Sequence, residues 1–421
     1  MRAKGFITVL CFVLMVCLIA VSADAQQKVI KIGAVYPLTG NIASTGLDCK
    51  RGVELAVDII NGKYDLNLPL AKEEGLPNLG NAKLEVVFAD TKGDPRNGMS
   101  EAERLVAQEK VVAMIGAYQS SVTKTASQAT ERLKIPYVCS DSSSPTLTER
   151  GFKYFFRVSP HDAIFAHDQF MFLKDLEKKY GQKVSTIAVL YENTEFGSNV
   201  GKEVNKYAKE FGYKIVADVS YAANATDVTS EVGTLIKSNP DVLMHASYIT
   251  DAILFTKTFK EMNFSPKGLM TFAGYIEPAY LPAIKSDGNF IVIRSTFALD
   301  LAKNKPLVGK VNELFKKKYG IDMSENAARS FTAPFVLADA INRAKSTKPE
   351  DIVKALLATN IPGDQVIYPW QGVKFDPKSH QNIYARGTLV QILDQQYQTV
   401  WPFDAAAAKV VWPFPAWKGR K

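Results

Sequence analysis

From Val29 onward, short apolar runs rich in β-formers alternate with longer segments in which apolar residues recur every three or four positions. The run "IKIGAV" is followed by Val53, Ala56, Val57 and Ile60, the i, i+3, i+4, i+7 spacing of one helix face. "LEVVFAD" precedes a helical face of Met99, Ala102 and Val106, and "VVAMIG" precedes one of Val122, Ala126, Ala129 and Leu133 that leads into "IPYVC". Repeated βαβ of this kind predicts a parallel sheet flanked by helices.

The pattern restarts after "YFFRVSPHD". "TIAVLY" leads to a helix carrying Val200, Val204, Tyr207, Ala208 and Phe211; "YKIVADVS", "DVLMHAS" and "GLMTFAG" follow, with helices between them near 228–237 and 251–262. A further strand, "NFIVIRSTF", leads to two helical segments, "ENAARSFTAPFVLADAINRAK" and "PEDIVKALLAT", and residues 368–393 are rich in turns and β-formers. The class is therefore α/β with two units. No low-complexity linker separates them, so short crossovers are expected to join them.

The first 25 residues stand outside this pattern. Arg2 and Lys4 precede "FITVLCFVLMVCLIAV", and Ala23 and Ala25 supply small residues for cleavage, the arrangement of a secretory signal with a mature start near Gln26. Cys11 and Cys17 follow Leu10 and Val16 rather than a small residue, so a lipid anchor is not expected, and no later apolar run approaches the roughly 20 residues of a membrane span. The mature protein is thus expected to be soluble and exported. It keeps 49 basic and 42 acidic side chains, a net charge of +7, dispersed over helices such as "FLKDLEKKYG" with no basic-aromatic stripe. Solvated helix faces explain that charge better than nucleic-acid binding does. Cys49 and Cys139 remain in a compartment where a disulfide can persist, but sequence does not pair them.

Ligands of open α/β sheets sit beyond the carboxyl ends of the strands. The loops there are "YPLTGNIASTG", "GAYQSS", "SDSSSP", "YENTEFG", "SYITD" and "AGYIEP", dominated by hydroxyls, glycines and aromatics. Ser120 and Ser121 fall at a helix N-terminus, where free amides favour an anion; a plain helix cap explains them equally well on this stretch alone. A nucleophile is disfavoured. No GxSxG elbow occurs, and His161, His167, His245 and His380 show no motif relation to a serine. "GNIASTG" lacks the Lys-Ser/Thr of a nucleotide loop, and neither CxxC nor HExxH spacing is present, so no cofactor and no metal are expected. Tyr36, Tyr118, Phe196, Tyr248 and Tyr275 recur at strand ends, where aromatics either wall a pocket or pack between elements.

In "IKIGAVYPLTGNIASTGLDCKRGVELAVDIIN", "VVFADTKGDPRNGMSEAERLV", "VVAMIGAYQSSVTKTASQATERLKIPYV", "YENTEFG", "PDVLMHASY" and "VVWPFPAW", taken in order, the chain resembles the extracytoplasmic solute-binding proteins of ABC importers for branched-chain amino acids and related compounds. The resemblance implies the type I periplasmic-binding fold: two α/β lobes, each a mainly parallel sheet flanked by helices, with three hinge crossovers. The lobes would be 26–160 with 296–383, and 161–295 with 384–421. It also implies a carboxylate clamp of Ser120 with the backbone of Tyr118 and Gln119, completed by Ser142 and Ser143, with Thr45 in the first pocket loop and Phe196 and Tyr248 on the second lobe. The acid that pairs with a ligand ammonium in this family would fall at Ala273; Tyr275 and Glu277 lie just downstream, so either Glu277 reaches in or the ligand has no ammonium. Permease and ATPase subunits are the implied partners and a monomer the implied state. The expected function is carriage of an aliphatic or aromatic amino acid. A carrier of a non-amino-acid carboxylate or amide, and a ligand-sensing ectodomain, are the alternatives; a secreted hydrolase lacks its elbow and histidine.

Overall fold

The computed structural model describes residues 28–420. The signal-peptide reading of residues 1–25 therefore lies outside the described residues.

The first sheet is all parallel, in the order β2-β1-β3-β4-β5. It consists of β1 (Val29–Tyr36), β2 (Lys83–Asp90), β3 (Met114–Gly116), β4 (Tyr137–Cys139) and β5 (Phe155–Arg157). Helices α1 (Ala43–Asn61), α2 (Pro95–Ala107) and α3 (Ser120–Arg132) make its crossovers. Coverage on both faces explains why β3, β4 and β5 are buried throughout and read as continuous apolar runs.

The second sheet is built after α4 (Asp162–Tyr180) from β6 (Thr186–Glu192), β7 (Lys214–Tyr221), β8 (Val242–Ala246), β9 (Gly268–Thr271) and β10 (Val292–Ser295). Between them run α5 (Glu195–Phe211), α6 (Thr229–Ser238), α7 (Ile249–Glu261) and the short α8 (Tyr280–Ile284). The chain then returns to the first unit through α9 (Pro306–Tyr319), α10 (Glu325–Ala344) and α11 (Pro349–Leu357). The small antiparallel pair β11 (Asn360–Pro362) and β12 (Gly372–Lys374) follows. β13 (Thr388–Leu393) and β14 (Gln396–Trp401) finally join the second sheet antiparallel, giving the order β14-β13-β10-β9-β8-β6-β7.

The return of α10 to the first unit depends on a close approach. A Cβ on Gly52 of α1 would sit 2.1 Å from the Ala327 carbonyl oxygen of α10, so only glycine lets these two helices meet at that point.

Three crossovers join the sheets, after β5, after β10 and before β13. They are tied together by side chains: Asn382 Nδ2 donates to the Val158 carbonyl (3.0 Å), Gln381 Nε2 to that of Ser159 (2.8 Å), and Thr388 Oγ1 to that of Ser295 (3.3 Å). Cys49 and Cys139 are both buried and unpaired. Among the described residues no helix is long and apolar enough to cross a membrane.

Candidate functional site

The carboxyl end of β3 sets the first wall. Gly116 has φ +106°, and a Cβ there would lie 2.4 Å from the Val35 carbonyl oxygen, so glycine alone permits the turn that leads the chain into Tyr118 and α3. Gln119 is the N-cap and makes no side-chain cap bond, so neither Ser120 nor Ser121 is the helix cap. Ser120 instead accepts a hydrogen bond from the Ser144 amide (3.2 Å), which ties α3 to the "SDSSSP" loop and leaves its O–H free to donate. Helix geometry leaves the amides of this first turn without intrahelical acceptors. The wall thus offers a buried hydroxyl beside free N–H groups, a setting for an anion.

The second wall is aromatic. Phe196 comes from the first turn of α5, and Tyr248 is the N-cap residue of α7. Their ring centroids lie 5.3 Å apart, and the Tyr118 ring stands 5.8 Å from that of Tyr248 across the cleft. Tyr118, Ser120, Ser143, Phe196 and Tyr248 all line one small cavity of about 10 Å³. Ala273, Asp141 and Arg294 complete its lining.

Thr45 and Glu277 are not among the lining residues but meet at Tyr118, which is. Glu277 is fully buried; the Tyr118 hydroxyl donates to its Oε1 at 2.7 Å and the Thr45 hydroxyl to its Oε2. Burial pushes the carboxyl up to about 7, against the pull of the Thr45 and Tyr118 hydrogen bonds and the Arg294 charge. Further contacts close the cleft. Glu195 of α5 takes Lys124 (2.8 Å), Thr146 (2.6 Å) and Ser144 (3.2 Å) from the first unit, and Asn41 donates to Asn224 (3.3 Å).

The remaining expected residues sit elsewhere. The Ser142 hydroxyl lies 2.7 and 2.9 Å from the carbonyls of Ala117 and Tyr118 and 2.5 Å from Thr123 Oγ1, so it is committed to holding the β3–α3 turn. The Gln119 side chain packs against Gly93, while its backbone, the part expected in the clamp, is the N-cap of α3 beside Ser120. Tyr275 is inside the second unit, its hydroxyl 2.6 Å from His245 Nδ1.

Sequence reasoning missed the buried charges. Glu325 of α10 lies between Arg294 (3.3 Å) and Arg329 (3.7 Å), and Arg329 also holds the backbone carbonyls of Ser140 (3.1 Å) and Asp141. The Asp141 carboxylate is satisfied by Tyr36 (3.1 Å), Ser140 (2.9 Å) and Ser330 (2.9 Å), whereas both oxygens of buried Asp162 lack a well-formed hydrogen bond although the Ser143 hydroxyl faces them. Burial pushes the Asp162 carboxyl up to about 6, with Arg294 the largest opposing influence. The signal was present: Arg294 interrupts "IVIRSTF" and Arg329 interrupts "NAARSFTAPF", lone charges inside runs that read as buried.

Two α/β lobes, joined by three crossovers and closed over a cavity between a hydroxyl wall and an aromatic wall, define a two-lobed solute-binding protein of the type I periplasmic-binding fold. The chain belongs to the periplasmic binding protein family, which it matches over residues 29–396. It is 28% identical over 410 residues to Leu/Ile/Val-binding protein homolog 7 of Brucella suis, covering 94% of this chain and 97% of that one. Homolog 8 of the same organism is 30% identical over 406 residues, covering 94% and 96%. The solved leucine-binding protein LivK of Thermotoga maritima has the same fold, with a TM-score of 0.76 at 21% identity over 89% of this chain and 99% of that one. The family is extracytoplasmic.

Proposed function

We propose that the protein is the periplasmic component of an ABC importer, carrying a branched-chain or aromatic amino acid between its lobes to a membrane permease. One observation carries this reading: Glu277 of the second lobe reaches the first-lobe residues Thr45 and Tyr118 beside a cavity whose other wall holds Ser120. An ammonium entering there finds a carboxylate although Ala273 offers none, while the carboxylate meets Ser120, Ser143 and the first-turn amides of α3. Phe196 and Tyr248 cover the apolar side chain. The relatives named for leucine, isoleucine and valine binding support the same ligand class.

In this reading residues 26–160 with 296–383 form one lobe and 161–295 with 384–421 the other, the signal is cleaved after residue 25, and the carrier acts as a monomer. Contacts made only in the closed form shift the population toward closure when ligand binds.

Ala273 in the cavity wall favours a second reading, a carrier of a carboxylate without an ammonium. Calorimetry on the mature protein separates the two. L-leucine and L-phenylalanine bound in preference to 4-methylpentanoate and 3-phenylpropanoate support the amino-acid reading; preference for the deaminated acids overturns it in favour of the second.

A further inference from the structure

We propose that Arg294 binds the carboxylate of the ligand directly, so that one anionic group bridges Ser120 on the first lobe and Arg294 on the second. The inference rests on the reading of the cleft as a small-carboxylate site and names the residue that grips the acid from the far side.

Arg294 lies on β10, is only 2% exposed and lines the cavity. A guanidinium carries five N–H donors. Here a single hydrogen bond is made, from Nη1 to Glu325 Oε1 at 3.3 Å, and the buried Nε–H has no acceptor. Glu325 does not belong to Arg294 alone, since the same oxygen accepts from Thr296 (3.0 Å) and faces Arg329 (3.7 Å). The face of the guanidinium rests over the Phe165 ring, 4.4 Å from its centroid, which orients the group and leaves its edge unfilled.

Other charges nearby do not supply the missing acceptor. Asp162 attracts Arg294 through its charge, yet no hydrogen bond joins the two, and Arg329 repels it. The Asp141 carboxylate is turned to Tyr36, Ser140 and Ser330. A buried N–H without an acceptor is costly, and the Nε–Nη2 edge of arginine matches the two oxygens of a carboxylate. On the opposite wall the Ser120 O–H is free to donate, because its oxygen already accepts from Ser144. Donors therefore converge on the cavity from both lobes, and an acid group satisfies them together only when the cleft is shut.

The test compares Arg294→Gln and Arg294→Lys with the wild type, using calorimetry with L-leucine, 4-methylpentanoate, benzoate, leucinamide and sodium acetate, and circular dichroism to verify folding. The expected result is that Arg294→Gln weakens binding of the preferred carboxylate by about 30-fold or more but changes leucinamide binding less than about threefold. Arg294→Lys, which keeps the charge beside Glu325 and loses the fork, should fall between, and it supplies the readout if the glutamine variant does not fold. A purely structural role would lower carboxylate and amide binding alike, so an unchanged carboxylate-to-amide ratio overturns the assignment. If no amino acid or larger acid binds, yet acetate stabilises the wild type and not the variant, Arg294 keeps its role while the amino-acid reading fails. No response of the wild type to any carboxylate overturns both.

Discussion

The Tyr118 hydroxyl donates to Glu277 Oε1 at 2.7 Å, joining two residues 159 positions apart and on opposite lobes. With Thr45 on the other oxygen, Glu277 is a buried carboxyl whose hydrogen bonds join the two lobes in this structure. Its acidity is correspondingly unusual, about 7 against an ordinary 4.5, chiefly through burial.

A raised carboxyl has a defined effect on stability. Between pH 4.5 and about 7 the folded protein holds a proton at Glu277 that the unfolded chain releases. Its stabilisation is therefore complete below pH 4.5 and is lost as pH rises through 7. The total is about 3 kcal/mol, because each tenfold change in proton affinity is worth about 1.4 kcal/mol. Urea unfolding of the wild type and Glu277→Gln at pH 5, 6, 7 and 8 should give curves that diverge, with the wild type losing more stability toward pH 8. Parallel curves would remove Glu277 as the titrating group.

The same carboxyl distinguishes ligand types. An ammonium placed beside Glu277 favours the charged form and expels its proton, about half a proton per ligand near pH 7. Calorimetry of L-leucine in phosphate and in Tris should thus give binding enthalpies that differ by that fraction of the difference in buffer ionisation enthalpies. Identical enthalpies in the two buffers would mean that the ammonium does not reach Glu277.

Ser120 and Ser142 should separate into two phenotypes. Ser120→Ala removes a free O–H from the cavity and is expected to weaken ligand binding by about 1 to 3 kcal/mol, with a loss of stability of about 1 kcal/mol because the buried Ser144 amide loses its acceptor. Ser142→Ala removes the hydroxyl that holds the Ala117 and Tyr118 carbonyls and should lower stability by about 1 to 2 kcal/mol. Calorimetry and urea titration of both variants check this; a Ser142→Ala protein of full stability and impaired binding would return Ser142 to the clamp.

Those two serines also mark where sequence reading reached its limit. The alternation of apolar runs and helical faces made both parallel sheets legible, because strands covered on two sides leave long apolar stretches and their crossover helices leave a 3.6-residue period. Placement of the loops at one rim followed from topology, and Tyr118, Ser120, Ser143, Phe196 and Tyr248 do share one cavity. Ser142 and Ser143 are adjacent and identical, and which one faces the cavity depends on a backbone turn with no local signature. Tyr275 looked equivalent to Tyr248 at a strand end, yet its ring turns inward to His245. β13 and β14 close the second sheet antiparallel from the far end of the chain, a pairing that periodicity cannot assign.

Gly52→Ala should couple packing to binding. The added methyl would stand 2.1 Å from the Ala327 carbonyl oxygen, and the carbonyl belongs to a helix that cannot yield locally, so α1 and α10 must separate. Overpacking of this kind costs about 1 to 3 kcal/mol. α1 also carries Thr45 near its first turn, so its shift should loosen the bond to Glu277. The expected outcome is a lower unfolding midpoint together with weaker ligand binding, read by thermal unfolding and calorimetry. A fully stable Gly52→Ala protein would mean that the two helices do not approach this closely.

Glu195 should control closure itself. Its carboxylate, on the second lobe, receives Lys124, Thr146 and Ser144 from the first, and it lies outside the cavity lining. These bonds exist only in the shut form and touch no ligand, so their removal should act on the open–closed equilibrium rather than on recognition. Lys124 is half exposed, which limits the ion pair to under about 1 kcal/mol; the two hydroxyl bonds add a similar amount. Glu195→Ala is therefore expected to weaken every ligand by the same factor, about 3- to 20-fold, through a faster off-rate, and to leave the ranking of ligands unaltered. Small-angle scattering of the ligand-free variant should report a larger radius of gyration than the wild type, while saturating ligand brings the two together. An altered ranking of ligands would place Glu195 in recognition, and unchanged affinity with an unchanged radius would remove it from closure.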